Sequence, residues 1–359
     1  MPNRPARAKV QITDTIPGAN TIERVAKNEW LVVQRHYGDG LDNAQNPSWL
    51  SGQNAGAPVK VRIRIRWAEF RWMGLRKNIY LQRGKSYTLV QGQSTPTESV
   101  YEFTLPSGAS RFGPAPWYTN EDAARFIKRL TRRSPACAAR SIGKTAEGRD
   151  IPCLTIDFGG RPAKKNVVIT GRIHAFETAG SWAVEGAADY LLSPGVPKAW
   201  LDRYAFHLFP TINPDGVANG LKQTRLGPVQ LYDMEQGGVA SDDPTIRAFR
   251  DQLIALKPHV LIDHHGYLFA PLFLYGYEKD LTLRVLRDLL PDDNVRKERE
   301  MWYYCLETKP ENPASMRGYC FKNFGTRVIV TELPWHPGRM PSDMTRLGAR
   351  VLQSTLKFI

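Results

Sequence analysis

Cysteine is scarce: Cys137, Cys153, Cys305 and Cys320 are spread over 359 residues with no C-x-x-C pair among them. That argues against a paired thiolate zinc site and a dense disulfide framework, and reads as the reduced thiols of a cytoplasmic protein. No apolar run is long enough to span a bilayer, so no membrane segment is expected. The chain opens Met1-Pro2-Asn3-Arg4-Pro5-Ala6-Arg7 and continues without an apolar signal core, which predicts no export segment. Internal repeats and low-complexity tracts are also missing.

Acidic residues are in short supply, 35 against 49 Lys and Arg, for a formal net charge of +14 and a pI near 9.7. The surplus is uneven: residues 1–115 carry sixteen basic and eight acidic side chains. A basic chain is compatible with nucleic acid, an anionic surface or an acidic substrate without choosing among them. The basic residues are not interleaved with aromatics, and no helix-turn-helix or zinc-finger spacing is present, which argues against a nucleic-acid partner. At 42% hydrophobic and 23% charged, the chain has the make-up of a globular protein of one large or two smaller domains.

From Lys60 to Trp67 the residues alternate strictly, with Lys60, Arg62, Arg64 and Arg66 on one face and Val61, Ile63, Ile65 and Trp67 on the other. This is the pattern of a half-buried antiparallel strand whose charged ladder faces solvent. Further β-like runs at Asn78–Leu81, Ser86–Gln91 and Ser99–Leu105 make residues 1–113 a small N-terminal β-sandwich, with Gly113-Pro114-Ala115-Pro116 as linker. Beyond it the pattern changes. Strands are expected at Asn166–Thr170, Ala205–Pro210, His259–Asp263 and Arg327–Thr331, and helices at Ala123–Thr131, Ala179–Leu192, Asp243–Leu256 and Met344–Phe358. Residues 117–359 therefore read as an α/β domain, a mixed sheet covered by helices on both faces.

In such sheets functional groups gather beyond the carboxyl ends of strands. Three predicted ends carry metal-type ligands: His174 and Glu177 after the first strand, His264 and His265 after the third, and Glu332 closing the apolar run Val328-Ile329-Val330-Thr331. An H-x-x-E spacing lets one turn present both side chains to a single ion. Two imidazoles and one carboxylate suit a catalytic zinc, which keeps its fourth position open. Neighbouring residues on an extended segment point opposite ways, so only one of His264 and His265 should reach the ion. A carboxylate closing an apolar strand is costly without a role, which favours function over a surface ion pair for Glu332.

The run Val167-Val168-Ile169-Thr170-Gly171-Arg172-Ile173-His174-Ala175-Phe176-Glu177-Thr178-Ala179-Gly180-Ser181-Trp182 resembles the metal-binding segment of the M14 zinc carboxypeptidases, most of all the branch containing the cytosolic carboxypeptidases. Asn213-Pro214-Asp215-Gly216-Val217, Asp263-His264-His265-Gly266, Phe273-Leu274-Tyr275-Gly276 and Thr331-Glu332 are similar to further motifs of that family, in the same order over residues 117–359. The resemblance implies one zinc ion held by His174, Glu177 and His265. It also implies Glu332 as general base, Asp263 as a partner of a ligand imidazole, and peptide or small amide substrates. Asn213 and Asp215 read as turn chemistry, Ser181 and Trp182 as helix packing.

The chain departs from the family at the substrate clamp. Counting without gaps from Asn213, Gln223 stands where a carbonyl-polarising arginine is expected, and Gln230-Leu231-Tyr232-Asp233 where an Asn-Arg pair should hold a terminal carboxylate. Arg225 or Lys222 is then the cation for the carbonyl oxygen. Asp233 repels a carboxylate that arginine would fork, so a substrate with a cationic or uncharged distal end is expected, with Tyr232 and Gln223 beside it. A conventional carboxypeptidase acting on acidic tails, with Arg225 in place of the clamp, is the alternative. A catalytically silent metal-binding relative is a third reading. The family's capping tyrosine has no clear counterpart: Pro310 falls near its position, and Tyr303, Tyr304 and Tyr319 are the candidates.

Overall fold

A computed structural model describes residues 10–16, 18–34, 48–68, 76–160, 164–221, 241–266, 272–289, 303–305, 315–335 and 338–359. The chain divides into two compact units, Met1–Trp117 and Tyr118–Ile359.

Nine strands are formed by the described residues of the first: β1 (Val10–Asp14), β2 (Asn20–Ala26), β3 (Glu29–Gln34), β4 (Leu50–Asn54), β5 (Val59–Arg66), β6 (Asn78–Arg83), β7 (Ser86–Ser94), β8 (Glu98–Leu105) and β9 (Gly108–Gly113). They pair in the order β1-β4-β9-β6-β7-β8-β5-β3-β2. Strand β7 serves two sheets, pairing with β6 along Ser86–Gln91 and with β8 along Gly92–Ser94. Gly92 stands at the change-over, where a Cβ would lie 2.3 Å from the Tyr101 ring, so no larger residue fits there. The period-two pattern of β5 turns Val61, Ile63 and Ile65 inward, where they share one core with Trp30, Ile79 and Phe112. This is the expected sandwich.

On the outer face of β5, Arg64 and Arg66 meet Glu98 at 3.0 and 3.1 Å, and Arg62 meets Glu102 at 3.6 Å. The predicted solvated ladder is thus a row of cross-strand ion pairs.

Among its described residues the second unit holds eight strands: β10 (Cys137–Lys144), β11 (Asp150–Ile156), β12 (Lys165–Gly171), β13 (Tyr204–Phe209), β14 (Val260–His265), β15 (Phe273–Gly276), β16 (Tyr303–Cys305) and β17 (Arg327–Glu332). Its described helices are α1 (Asn120–Arg133), α2 (Thr178–Leu191), α3 (Lys198–Arg203), α4 (Pro214–Asn219), α5 (Pro244–Leu256), α6 (Lys279–Leu289), α7 (Met316–Phe324) and α8 (Pro341–Lys357). The sheet order is β10-β11-β13-β12-β14-β17-β15-β16. Strands β13, β12, β14 and β17 are parallel, while β10, β11 and β15 pair antiparallel at the flanks. This is the mixed α/β sheet expected from the alternating pattern.

Both faces are covered. Val167, Ile169, Val260, Ile262 and Ile329 pack with α1, α2, α6 and α8, and Val168, Leu261, Val328 and Val330 pack with α5 and α7. After β12 the chain passes through α2 to β13 on one side, while β14 lies on the other. The strand order therefore reverses at β12, which opens a crevice beyond the carboxyl ends of β12 and β14.

Candidate metal centre

Three parallel strands end side by side. In register, Gly171 faces His264, His264 faces Thr331, and His265 faces Glu332. Neighbouring strands lie about 4.8 Å apart, so His265 and Glu332, far apart in sequence, become direct neighbours. Alternation decides what each presents: Leu261 and Val330 face one core and Ile262 and Ile329 the other, so His265 and Glu332 share one face while His264 and Thr331 share the opposite one.

His174 and Glu177 lie on the turn between β12 and α2. Glu177 occupies the N-cap position of α2, yet its side chain makes no capping bond. Its carboxylate is turned to the histidines instead: Oε1 is 2.8 Å from His174 Nδ1, and Oε2 is 3.0 Å from His265 Nδ1 without hydrogen-bond geometry. The two Nδ1 atoms are 3.2 Å apart. Ligand atoms of His174, Glu177 and His265 all lie within 4.8 Å of one another. Two imidazole nitrogens and a buried carboxylate converging on one point, with a carboxylate oxygen left unpaired, fit a divalent ion of zinc type.

On its other edge, His265 Nε2 is 2.9 Å from Asp263 Oδ2, and Asp263 Oδ1 accepts from Thr170 Oγ1 at 2.7 Å. With the Nε2 proton donated to Asp263, Nδ1 keeps its lone pair for a metal. Without an ion, burial opposes the charged form of His265 but Asp263 and Glu177 outweigh it and raise its pKa well above the ordinary value. Burial pushes the Glu177 carboxyl up, and the two histidines more than reverse this, leaving it well below the usual range. For Glu332 burial and the nearby Glu177 charge work together and push the carboxyl well up. Two carboxyls in one site are thus driven in opposite directions.

Glu332 is buried, with Oε2 unpaired among the described residues. His174 is the most open member of the group, its side chain 18% exposed against 2% for Glu177 and 3% for His265. The solvent side of the site is therefore the His174 side. His264 donates to or accepts from Thr331 Oγ1 at 2.8 Å on the far face and does not join the cluster.

Asn213 and Asp215 do not form the simple turn expected from their sequence. Asn213 Oδ1 accepts from the Gly216 amide at 2.9 Å and starts the short helix α4, because Pro214 at its first position presets the helical φ. Asp215 is buried against Thr145 at 2.7 Å and Arg149 at 2.6 Å. Ser181 Oγ donates to the Pro210 carbonyl, and Tyr319 packs edge-on against Phe324. Gln223, Arg225, Tyr232 and Asp233, with Lys222, Gln230 and Pro310, lie outside the described residues, as do the side chains of Tyr303 and Tyr304.

Two buried arginines adjoin the site without a sequence motif that marks them. Arg317, at the start of α7, is buried with its guanidinium 3.5 Å from Asp263 Oδ2 and 3.5 Å from the Tyr275 hydroxyl. Arg172, between Gly171 and His174, is fully buried. A cation inside the apolar stretch around it was the available signal for Arg172; Arg317 follows no motif.

Residues 123–233 match the zinc carboxypeptidase model of the peptidase M14 family. Cytosolic carboxypeptidase 2 of Danio rerio is 31% identical over 174 residues, 44% of this chain and 24% of that protein, so the chain matches about a quarter of its relative's length. The fold is similar to that of a metallo-carboxypeptidase from Burkholderia cenocepacia, with a TM-score of 0.77 and 20% identity over 97% of this chain and 98% of that one. A metallo-carboxypeptidase from Pseudomonas aeruginosa, solved in complex with (2-guanidinoethylmercapto)succinic acid, superposes with a TM-score of 0.78 and 18% identity over 96% of this chain and 98% of that one.

Proposed function

We propose that this chain, which matches the peptidase M14 model over residues 123–233, is a zinc-dependent hydrolase of peptide or amide bonds. The observation that carries the reading is the convergence of His174, Glu177 and His265 beside Glu332 at the ends of three parallel strands. Zinc held by His174, Glu177 and His265 would supply Lewis acidity, polarising a carbonyl and making a water acidic near neutral pH. The protein's own residues do the rest. Asp263 keeps the His265 proton on Nε2. Glu332 accepts a proton at Oε2 and later delivers it to the leaving nitrogen, as a general base and then acid. Burial of both carboxylates keeps bulk water from competing for that proton.

Glu332→Gln should retain stoichiometric zinc and lose about 10²- to 10⁴-fold in kcat. Zinc content and peptide hydrolysis, measured on the same preparation with a chelator control, test this. Full activity in Glu332→Gln, or in zinc-stripped protein, would sink the reading.

For the substrate's terminal group two readings compete. Asp233 favours a distal end that is cationic or uncharged. Arg317 favours a carboxypeptidase of acidic tails, since it is a buried guanidinium beside the face that carries Glu332 and Asp263. Matched peptides ending in acid, amide or amine separate them. The first requires the amide or amine to be cleaved faster, with the preference lost in Asp233→Asn. The second requires the acid to be faster, with the preference lost in Arg317→Met.

A further inference from the structure

Arg172 has an unusual set of properties. It is 1% exposed, although a guanidinium in a protein interior is costly unless its geometry is put to use. Its backbone is left-handed, φ +63°, a conformation that crowds any residue with a Cβ and collects at functional sites. Among the described residues its hydrogen bonds go to carbonyl oxygens rather than to a carboxylate: Nε donates to Ala175 at 2.5 Å and Nη1 to Tyr118 at 2.8 Å.

The placement of these bonds explains the strain. Strand β12 ends at Gly171, where a Cβ would sit 2.7 Å from the Gly180 backbone, so the strand end and the first turn of α2 touch. Between them the chain must reverse within a few residues and still send Ile173 into the core. The left-handed step at Arg172 makes the reversal, and its side chain then closes the turn upon itself at Ala175 and anchors it to the segment leading into α1. Ala175 is flanked by His174 and, two residues on, Glu177. Arg172 therefore braces the turn that carries both metal-type ligands.

We infer that Arg172 is a positioning residue that presets His174 and Glu177 for metal binding. The inference rests on the metal-site reading above. A planar fork reaches two carbonyls in different directions; a lysine keeps the charge but not the two-point bridge. Residues that orient ligands from behind contribute about 10- to 100-fold in metal affinity.

The test uses the full chain, stripped and then titrated with Co²⁺ against a competing chelator, with the visible cobalt bands recording ligand geometry. Arg172→Lys preserves the buried charge. Arg172→Gly relieves the left-handed backbone, so a failure of either variant to fold leaves the other to decide. Each is expected to bind Co²⁺ about 10- to 100-fold more weakly with shifted bands, while the folded variant's stripped form keeps its far-ultraviolet spectrum. A folded variant with wild-type affinity and an unshifted spectrum overturns the inference, because a merely structural brace changes melting temperature alone. Wild-type protein that binds no Co²⁺ overturns the metal reading itself, and this inference with it.

Discussion

Glu185 on α2 shows how far burial can move one side chain. The Tyr118 hydroxyl donates to its Oε1 at 2.7 Å, yet burial dominates and pushes the carboxyl up to about 7. A carboxyl with a raised folded-state pKa holds its proton where the unfolded chain has released it. Its effect on stability is therefore favourable at acid pH and is lost as pH rises from about 4.5 through 7. The loss is on the order of 3 kcal/mol. Glu185→Gln keeps the oxygen acceptor and removes the ionisation, so urea midpoints should fall less between pH 5 and pH 8 than in the parent. Equal falls in both proteins would show that Glu185 does not titrate in that window. Among single residues, His174, Glu177, His265 and Glu332 stood out because each lies at or just past the end of a short apolar strand, where polar side chains are rare without a use. Arg172 and Arg317 were not, because their partners are carbonyls or side chains remote in sequence.

At the scale of elements, helices α2 and α8 touch through glycine. A Cβ on Gly186 would lie 1.8 Å from the Thr345 carbonyl oxygen, and one on Gly348 2.0 Å from that of Ala183. Both obstacles are backbone, which cannot swing aside. Gly186→Ala should therefore cost about 3 kcal/mol or more, beyond the gain in helix propensity, read as a lower denaturant midpoint. An unchanged midpoint would mean that the helices can separate freely. Elements with a clear period were legible: β5 by alternation, and α1 by a polar cap before an apolar stripe, where Thr119 and Asp122 form a reciprocal capping box. Strand β10 was not, since its run from Cys137 to Lys144 is mostly exposed and has no alternation to read. Helix α4 was hidden by Asn-Pro-Asp-Gly, which serves as a helix start as well as a turn.

On the scale of the whole molecule, each unit has its own apolar core, and the metal-type ligands all come from the second. Zinc at 1,000 times its dissociation constant stabilises the state that binds it by about 4 kcal/mol. Chelation should therefore raise amide hydrogen exchange at the ends of β12, β14 and β17, and leave β1 to β9 unchanged. Equal deprotection of both units would contradict this division. The +14 charge has a local counterpart: the first unit's arginine ladder is largely matched by Glu98 and Glu102.

Sequence alone determined the class of fold, the positions of the main strands, and the residue types able to hold a metal, because periodicity and strand-end chemistry are local properties of the chain. Tertiary structure decided which of them meet. Strand register set His265 beside Glu332, the pleat turned His264 to the opposite face, and the turn at Arg172 brought His174 and Glu177 over the end of β14. Pairing between distant segments depends on packing the whole sheet, which no local stretch of sequence encodes.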